Sequence, residues 1–317
     1  MKSRLWAIAI LLFFSQQALA DNYYWWGVKH NWDGVTPWEN YMQLTARYSG
    51  PNTIPVPEVV NGAIPQNSFF EAGFAGHYYT GDKTTNTVLS TLIKAGNKAA
   101  IGLYYVPFEF YWMDTAVSRN ERNTRDYDGK GKAVGDVYIN AYYQILKNKP
   151  KGFDLMLSFG VKTASGTNLE AARYNDCPGY YFHLSGGYTW YKPHAFFKST
   201  RVYAMAGAYM WQTYRDDYKQ DDAPLFGAGI TLENKNFVID EHIGGYMGYF
   251  NLGDKPIVSR LSVRTNRDKL FNYKLLYQHG LNDFLYKSVI ISTVLNLDKV
   301  HLGRKKRRVT NNINGEQ

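Results

Sequence analysis

Cysteine is almost absent from this chain: Cys177 stands alone among 317 residues. An intramolecular disulfide and a cysteine-based metal site are both excluded, and Cys177 reads as an incidental loop residue rather than a nucleophile. Long hydrophobic runs are missing too. No stretch approaches the ~18 apolar residues of a transmembrane helix, so any membrane-spanning part must cross as strands. No phosphate-binding glycine motif, HExxH or cysteine pair occurs, and neither a cofactor nor a metal is expected. Excess charge is scarce in the body of the chain. The formal net charge is +9, but Lys2 and Arg4 sit at the extreme N-terminus, and Lys299 with the run Arg304 to Arg308 sits at the other end. The body between them is close to neutral, which does not describe a polyanion-binding domain.

The features that are present begin with an export signal. Lys2 and Arg4 precede an apolar run from Leu5 to Phe14 and then Ala18-Leu19-Ala20, the small-x-small form that signal peptidase accepts. Cleavage is expected after Ala20, and export removes nucleic acid from the list of partners. Mean hydropathy is −0.41, although 45% of residues are hydrophobic and 16% aromatic. A barrel hides its apolar band in alternate positions, so the average looks soluble. The 27 Tyr and 8 Trp suit aromatic girdles at two membrane interfaces.

From Ser68 to Leu297 the chain reads as stretches of about ten residues that alternate apolar with polar or small. In Phe153 to Thr163, for example, Phe153, Leu155, Leu157, Phe159 and Val161 share one face, while Asp154, Ser158, Gly160 and Lys162 take the other. Strands are predicted at Ser68–Thr80, Thr84–Lys94, Ala99–Met113, Val134–Lys147, Phe153–Ala164 and Gly179–Tyr191. Six more are predicted at Arg201–Tyr214, Pro224–Glu233, Asn236–Phe250, Pro256–Thr265, Leu270–His279 and Phe284–Leu297. The fold class is therefore all-β, a transmembrane antiparallel up-and-down β-barrel of about 12 strands. Connections alternate in length: the long ones, such as Asp114 to Ala133 and Ser165 to Pro178, all fall on one side. Such barrels keep short turns in the periplasm and long loops outside. The chain is thus expected in the outer membrane of a Gram-negative cell as a monomer, with both termini periplasmic and residues 299–317 forming a basic tail. Outer-membrane lipid, lipopolysaccharide and the barrel-assembly machinery are the expected partners, beside an unknown small-molecule solute.

Residues 21–67 differ from the strand-rich body. They hold Trp25, Trp26, Trp32 and Trp38 with Pro51, Pro55, Pro57 and Pro65 and no sustained period, so a continuous helix or central strand is excluded. A plug in the barrel mouth, a segment along the membrane surface and a periplasmic cap are the alternatives, and packing against the periplasmic end is the expectation.

Gly135-Asp136-Val137-Tyr138, Tyr142-Tyr143-Gln144 and the run Leu157 to Gly166 resemble paired strands of a little-characterised group of outer-membrane barrels that act as transporters. The run Lys162 to Gly166 is similar, more weakly, to the Lys-x-x-x-Gly turn of barrels associated with aromatic-degradation pathways. The resemblance implies a barrel and a channel, and brings no catalytic residues with it.

The polar phase of each strand is expected to line the lumen. It supplies Asp136, Tyr138, Asn140, Tyr142, Gln144, Asp154, Lys162, Glu241, Arg260 and Arg264. Opposite charges across a narrow pore focus the field and select polar solutes; alternatively these groups pair with one another in a packed interior. His183-Leu184-Ser185 resembles the His-x-Ser of outer-membrane phospholipase A and the lipid A deacylase. Those enzymes follow the serine with Asn, whereas Gly186 stands here, and the alternation turns His183 and Ser185 inward, away from lipid. The four aspartates Asp216, Asp217, Asp221 and Asp222 lack calcium-loop spacing and read as a solvated tip. Three functions remain: a passive channel for small polar or aromatic solutes, a lipid hydrolase using Ser185 and His183, and a non-conducting anchor for functional outer loops.

Overall fold

A computed structural model describes residues 23–147, 152–216, 218–266 and 269–300. The leader, its cleavage site and the basic run Arg304 to Arg308 lie outside the described residues.

The alternating stretches are strands. Among the described residues the segments are β1 (Phe69–Tyr79), β2 (Asp82–Ala95), β3 (Ala99–Tyr105), β4 (Glu109–Met113), β5 (Lys130–Ala133), β6 (Val137–Leu146) and β7 (Gly152–Lys162). They continue as β8 (Gly179–Tyr191), β9 (Ser199–Gln212), β10 (Gln220–Glu233), β11 (Phe237–Tyr246), β12 (Ile257–Thr265), β13 (Phe271–Asn282) and β14 (Lys287–Asn296). β2 bonds to both β3 and β4, which are two halves of one wall strand broken around Pro107, a residue with no N–H to give a ladder. β5 and β6 are the facing halves, and the Gly135 amide donates to the Val106 carbonyl at 2.8 Å where the two breaks meet. Neighbours are antiparallel throughout, and β1 pairs with β14 from Phe69↔Asn296 to Tyr78↔Lys287. The result is a closed barrel of 12 strands, in which the short β5 at the rim has a strand partner, β4, on one side only.

Side-chain phase follows the alternation. On β7, Phe153, Leu157 and Phe159 are 42–46% exposed, whereas Met156, Ser158 and Lys162 are buried. Outward rings gather in two belts. Tyr78, Phe110, Trp112 and Tyr180 lie toward the long loops, and Tyr143, Tyr188, Trp190, Phe271 and Tyr273 toward the short turns. An apolar outer band flanked by such rings is stable only against lipid. No described helix is long and apolar enough to cross a membrane. The two long connections, 114–129 and 163–178, lie at one end as the sequence predicts, and the same end carries the two-residue turn after β1, with Gly81 at φ +85°.

Residues 23–68 depart from expectation. A short helix α1 (Tyr24–His30) and a turn at Trp38–Tyr41 contact the long-loop end, not the short-turn end. Lys29 Nζ donates to the Arg119 carbonyl at 2.6 Å, the Gln43 amide to the Arg122 carbonyl, and the Arg47 amide to the Gly253 carbonyl. The chain then descends through the barrel and leaves at the other end, where Lys94 Nζ donates to the Gln66 carbonyl and the Ser68 amide to Asp298 Oδ2. Residue 23 therefore lies at the long-loop end and residue 300 at the short-turn end. The sequence predicts both termini on one side, and the outermost residues of each lie outside the described residues. The reversal of the Trp-rich stretch has a physical cause: its aromatic rings find cationic partners on the long loops.

Candidate functional site: the barrel lumen

The segment inside the barrel lies in a seat cut by glycines. Gly187 on β8, Gly227 on β10 and Gly244 on β11 all face inward. A Cβ on Gly187 would stand 2.6 Å from the Asn61 carbonyl oxygen, and one on Gly227 or Gly244 would stand 2.5 Å from Val59 Cγ2. Isolated glycines in strands mark close approach of another chain segment. Wall side chains then hold the segment by its backbone. Arg201 donates to the Asn61 carbonyl from Nε at 2.9 Å and from Nη2 at 2.7 Å. Arg260 donates to the carbonyls of Val56 at 2.6 Å and Pro57 at 3.1 Å. Gln144 accepts from the Ile64 amide and donates to the Gly62 carbonyl, each at 2.8 Å. Ile54, Val56 and Val59 pack with the inward residues Tyr181, Tyr203, Met205, Tyr209, Leu225, Tyr246 and Val258 in one core.

At the long-loop end two loops send arginines into the barrel. Arg122 Nη1 meets Asp82 Oδ2 at 2.8 Å, and Arg173 reaches both Asp82 at 3.0 Å and Glu109 at 2.8 Å, all four side chains being fully buried. Tyr286 donates to Asp82, Tyr174 to Glu109, and Asn52 of the lumen segment to Glu109. Two cations face two anions and the carboxylate oxygens are occupied, which offsets the cost of burying the charges, while Arg122 Nε is buried without a partner. Above this layer the Trp-rich stretch forms a cap. The Arg125 guanidinium stands 4.0 Å from the Tyr23 ring centroid, 4.5 Å from Trp38, 5.3 Å from Trp26 and 5.6 Å from Trp32. Cation–π attraction of this kind joins the N-terminal stretch to the loop between β4 and β5.

The short-turn half is more open. Glu58 projects from the segment and stays exposed, within electrostatic range of Tyr104, Tyr142, Arg260 and Lys274. Lys274 pairs with Glu71 at 3.4 Å, and exposed Arg264 shares the inward phase of β12 with Arg260.

The residues singled out from sequence divide accordingly. Asp136 and Lys162 pair at 2.7 Å with neither side chain exposed, and Lys162 also donates to Asn175 Oδ1 and the Cys177 carbonyl. Asp154 pairs with Arg201 at 2.8 Å. Asn140 accepts from Tyr181, Tyr138 packs edge-on to Tyr104, and Tyr142 is half-buried on the same inner face. Gln144 and Arg260 hold the segment. Glu241 is a correction: it faces outward, paired across the ladder with Ile230 and Leu261, and is exposed. The inward phase of β11 is Asp240, His242, Gly244 and Tyr246, so a one-residue difference in phase moves the carboxylate to the lipid side. His183 and Ser185 face inward and are buried, and no hydrogen bond joins the Ser185 hydroxyl to the imidazole. Asp221 is buried rather than a solvated tip, accepting from the Tyr249 amide at 3.2 Å. Among the described residues no group of three or more His, Cys, Asp or Glu side chains could hold a metal ion.

Sequence reasoning named Arg122 only as part of a mixed-charge outer loop, with folding inward as one alternative, and missed Asp82, Glu109, Arg173 and Arg201; a loop arginine such as Arg173 carries no period that would turn it inward. The seat glycines were legible as interruptions of strand patterns.

No family model matches the chain, and no curated protein matches it. Solved structures do. One is the COG4313 outer membrane channel from Pseudomonas putida F1, at 13% identity and TM-score 0.50, covering 76% of this chain and 99% of that one. Another is the NanC porin, at 9% identity and TM-score 0.48, covering 72% and 100%. The KdgM porin gives 11% identity and TM-score 0.43, covering 71% and 98%. At these identities the likeness concerns the barrel fold.

Proposed function

We propose that this protein is an outer-membrane channel for small solutes, held shut at rest by its own residues 49–66. The observation that carries the reading is the seat: glycines on three wall strands make room for the segment, and wall side chains grip it through its carbonyls. The barrel itself does not depend on that grip. β1 and β14 close the ladder without it, so the segment can leave without breaching the wall, and twelve strands then enclose a bore. The long loops face outside and the short turns the periplasm, which is where Glu58 and Arg264 meet water.

Ion current across planar bilayers tests this. The full-length chain is expected to conduct rarely. Gly227→Val with Gly244→Val, which fills the seat against Val59, is expected to raise the open fraction at least tenfold. Equal, negligible current from both proteins, each shown folded by heat-modifiable gel migration, would sink the channel and leave a closed barrel that anchors its outer loops. The lipid-hydrolase alternative has no support from a serine and histidine that are buried and not hydrogen-bonded to each other.

A further inference from the structure

The wall on β6 to β9 carries polar atoms that the segment covering it does not satisfy. Tyr138 OH, Ser158 Oγ, His183 Nδ1, Ser185 Oγ and Tyr209 OH are buried without a hydrogen-bond partner. Ser185 and Tyr209 are 0% exposed, and the most accessible of the five, Tyr138, only 7%. Native proteins leave few such atoms, and each calls for an explanation. These five are contiguous. Ser158 lies across the ladder from His183, the row beside it holds Tyr181 and Tyr209, and the row on the other side holds Ser185. Over Tyr138 and Tyr209 the cover is apolar, since Ile54, Val56 and Val59 belong to the same cluster, and beside Ser185 it is the Asn61–Gly62 backbone. Wall and occupant are chemically mismatched.

Charge narrows what would match. The strip is bracketed by Asp136 with Lys162 at 2.7 Å on one side and by Asp154 with Arg201 at 2.8 Å on the other. Both cations of these pairs are already neutralised, so an anion gains no unpaired charge on the strip itself; Arg260, freed of the Val56 and Pro57 carbonyls when the segment leaves, stands off the strip on β12. An aliphatic molecule would leave the five atoms as unpaired as the segment does. Hydroxyls and a neutral imidazole both donate and accept, and the Tyr181 and His183 rings lie nearly parallel, 12° apart, with centroids 6.4 Å from each other. A ligand with several uncharged hydroxyls satisfies this wall.

We infer that the strip Tyr138, Ser158, His183, Ser185 and Tyr209 is a binding track for a small uncharged polyhydroxylated solute, uncovered when the segment leaves. The inference rests on the plugged-channel reading and names its solute class. It also gives the segment a reason to be displaceable, because solute hydroxyls satisfy atoms that the plugged state leaves unpaired.

The test uses full-length chains carrying Gly227→Val and Gly244→Val, with and without Ser158→Ala and Ser185→Ala, and xylitol as probe against its acidic relative xylonate. Xylitol is expected to interrupt the KCl current, with a half-blocking concentration at least fivefold lower than that of xylonate. The two alanines are expected to raise the xylitol value by a factor at least five times any change in KCl conductance. Equal half-blocking concentrations with and without the alanines would overturn the track while leaving the channel intact. Absence of any KCl current would instead remove the channel reading. A separate measurement stands without gating: in the otherwise unmodified chain, the alanine pair is expected to keep or raise the melting temperature. A fall of several degrees would mean that both hydroxyls are satisfied at rest, and would end the proposal.

Discussion

Arg173 and Glu109, one from the loop between β7 and β8 and the other from the barrel wall, meet at 2.8 Å with neither side chain exposed. Through Asp82 the same guanidinium is joined to Arg122 from a second loop, so two loops are fastened inside the barrel by one balanced set of four charges. Removing one member leaves an opposite charge buried and unpaired, which costs about 3–5 kcal/mol. Arg173→Met is therefore expected to lower the unfolding free energy in detergent by about that amount. Arg173→Met combined with Glu109→Gln is expected to recover part of the loss. Denaturant titration of the folded, heat-modifiable species measures both.

The contact between Val59 and Gly227 offers a lock. With Cys177 replaced by Ser, Val59→Cys and Gly227→Cys place two thiols where a Cβ on Gly227 would stand 2.5 Å from the Val59 methyl. Oxidation is expected to abolish the remaining openings of the full-length chain, and a reductant to restore them. Openings of the same frequency before and after oxidation, with the bond verified by mass, would mean that solute does not pass where the segment lies.

Cys177 is buried in the loop that folds over the lumen. Burial pushes its thiol up to about 11, so the nucleophilic thiolate is scarce at neutral pH. Labelling by a maleimide at pH 7.5 is expected to be slower than that of an exposed cysteine by about two orders of magnitude, and to become fast once the protein is unfolded. Rapid labelling of the folded chain would show this loop open.

The cap responds to pH through His30, which packs against Trp26 at 4.9 Å between ring centroids. Burial, with Lys29 adjacent, holds its imidazole below the usual histidine value. A base with a lowered value in the folded cap favours the neutral form, so its contribution is complete above the unfolded value of about 6.5 and is lost as pH falls through the window below it. Proteolysis within residues 23–42 is expected to accelerate between pH 7 and pH 5, and His30→Gln to flatten that dependence. Arg125→Ala is expected to accelerate cleavage at every pH, because it empties the aromatic cage without touching a titrating group.

Alternation along each strand was enough to give the twelve wall strands, the phase of most of them and the end at which the long loops lie. Period two is a local property, and a face exposed to lipid on one side enforces it residue by residue. Even the ion pairs Asp136–Lys162 and Asp154–Arg201 use inward positions that the pattern identifies, although Arg201 itself was overlooked. Glu241 shows the limit of that reading, since a single step in phase reverses the side a charge faces. What fills the barrel was decided only by the tertiary structure. Residues 49–66 have no period, and their position depends on contacts with distant partners: Arg201 grips Asn61 across 140 residues and Arg260 grips Val56 across 204. Such contacts come from loop lengths, glycine gaps and charge balance acting together in space, and no local pattern encodes them.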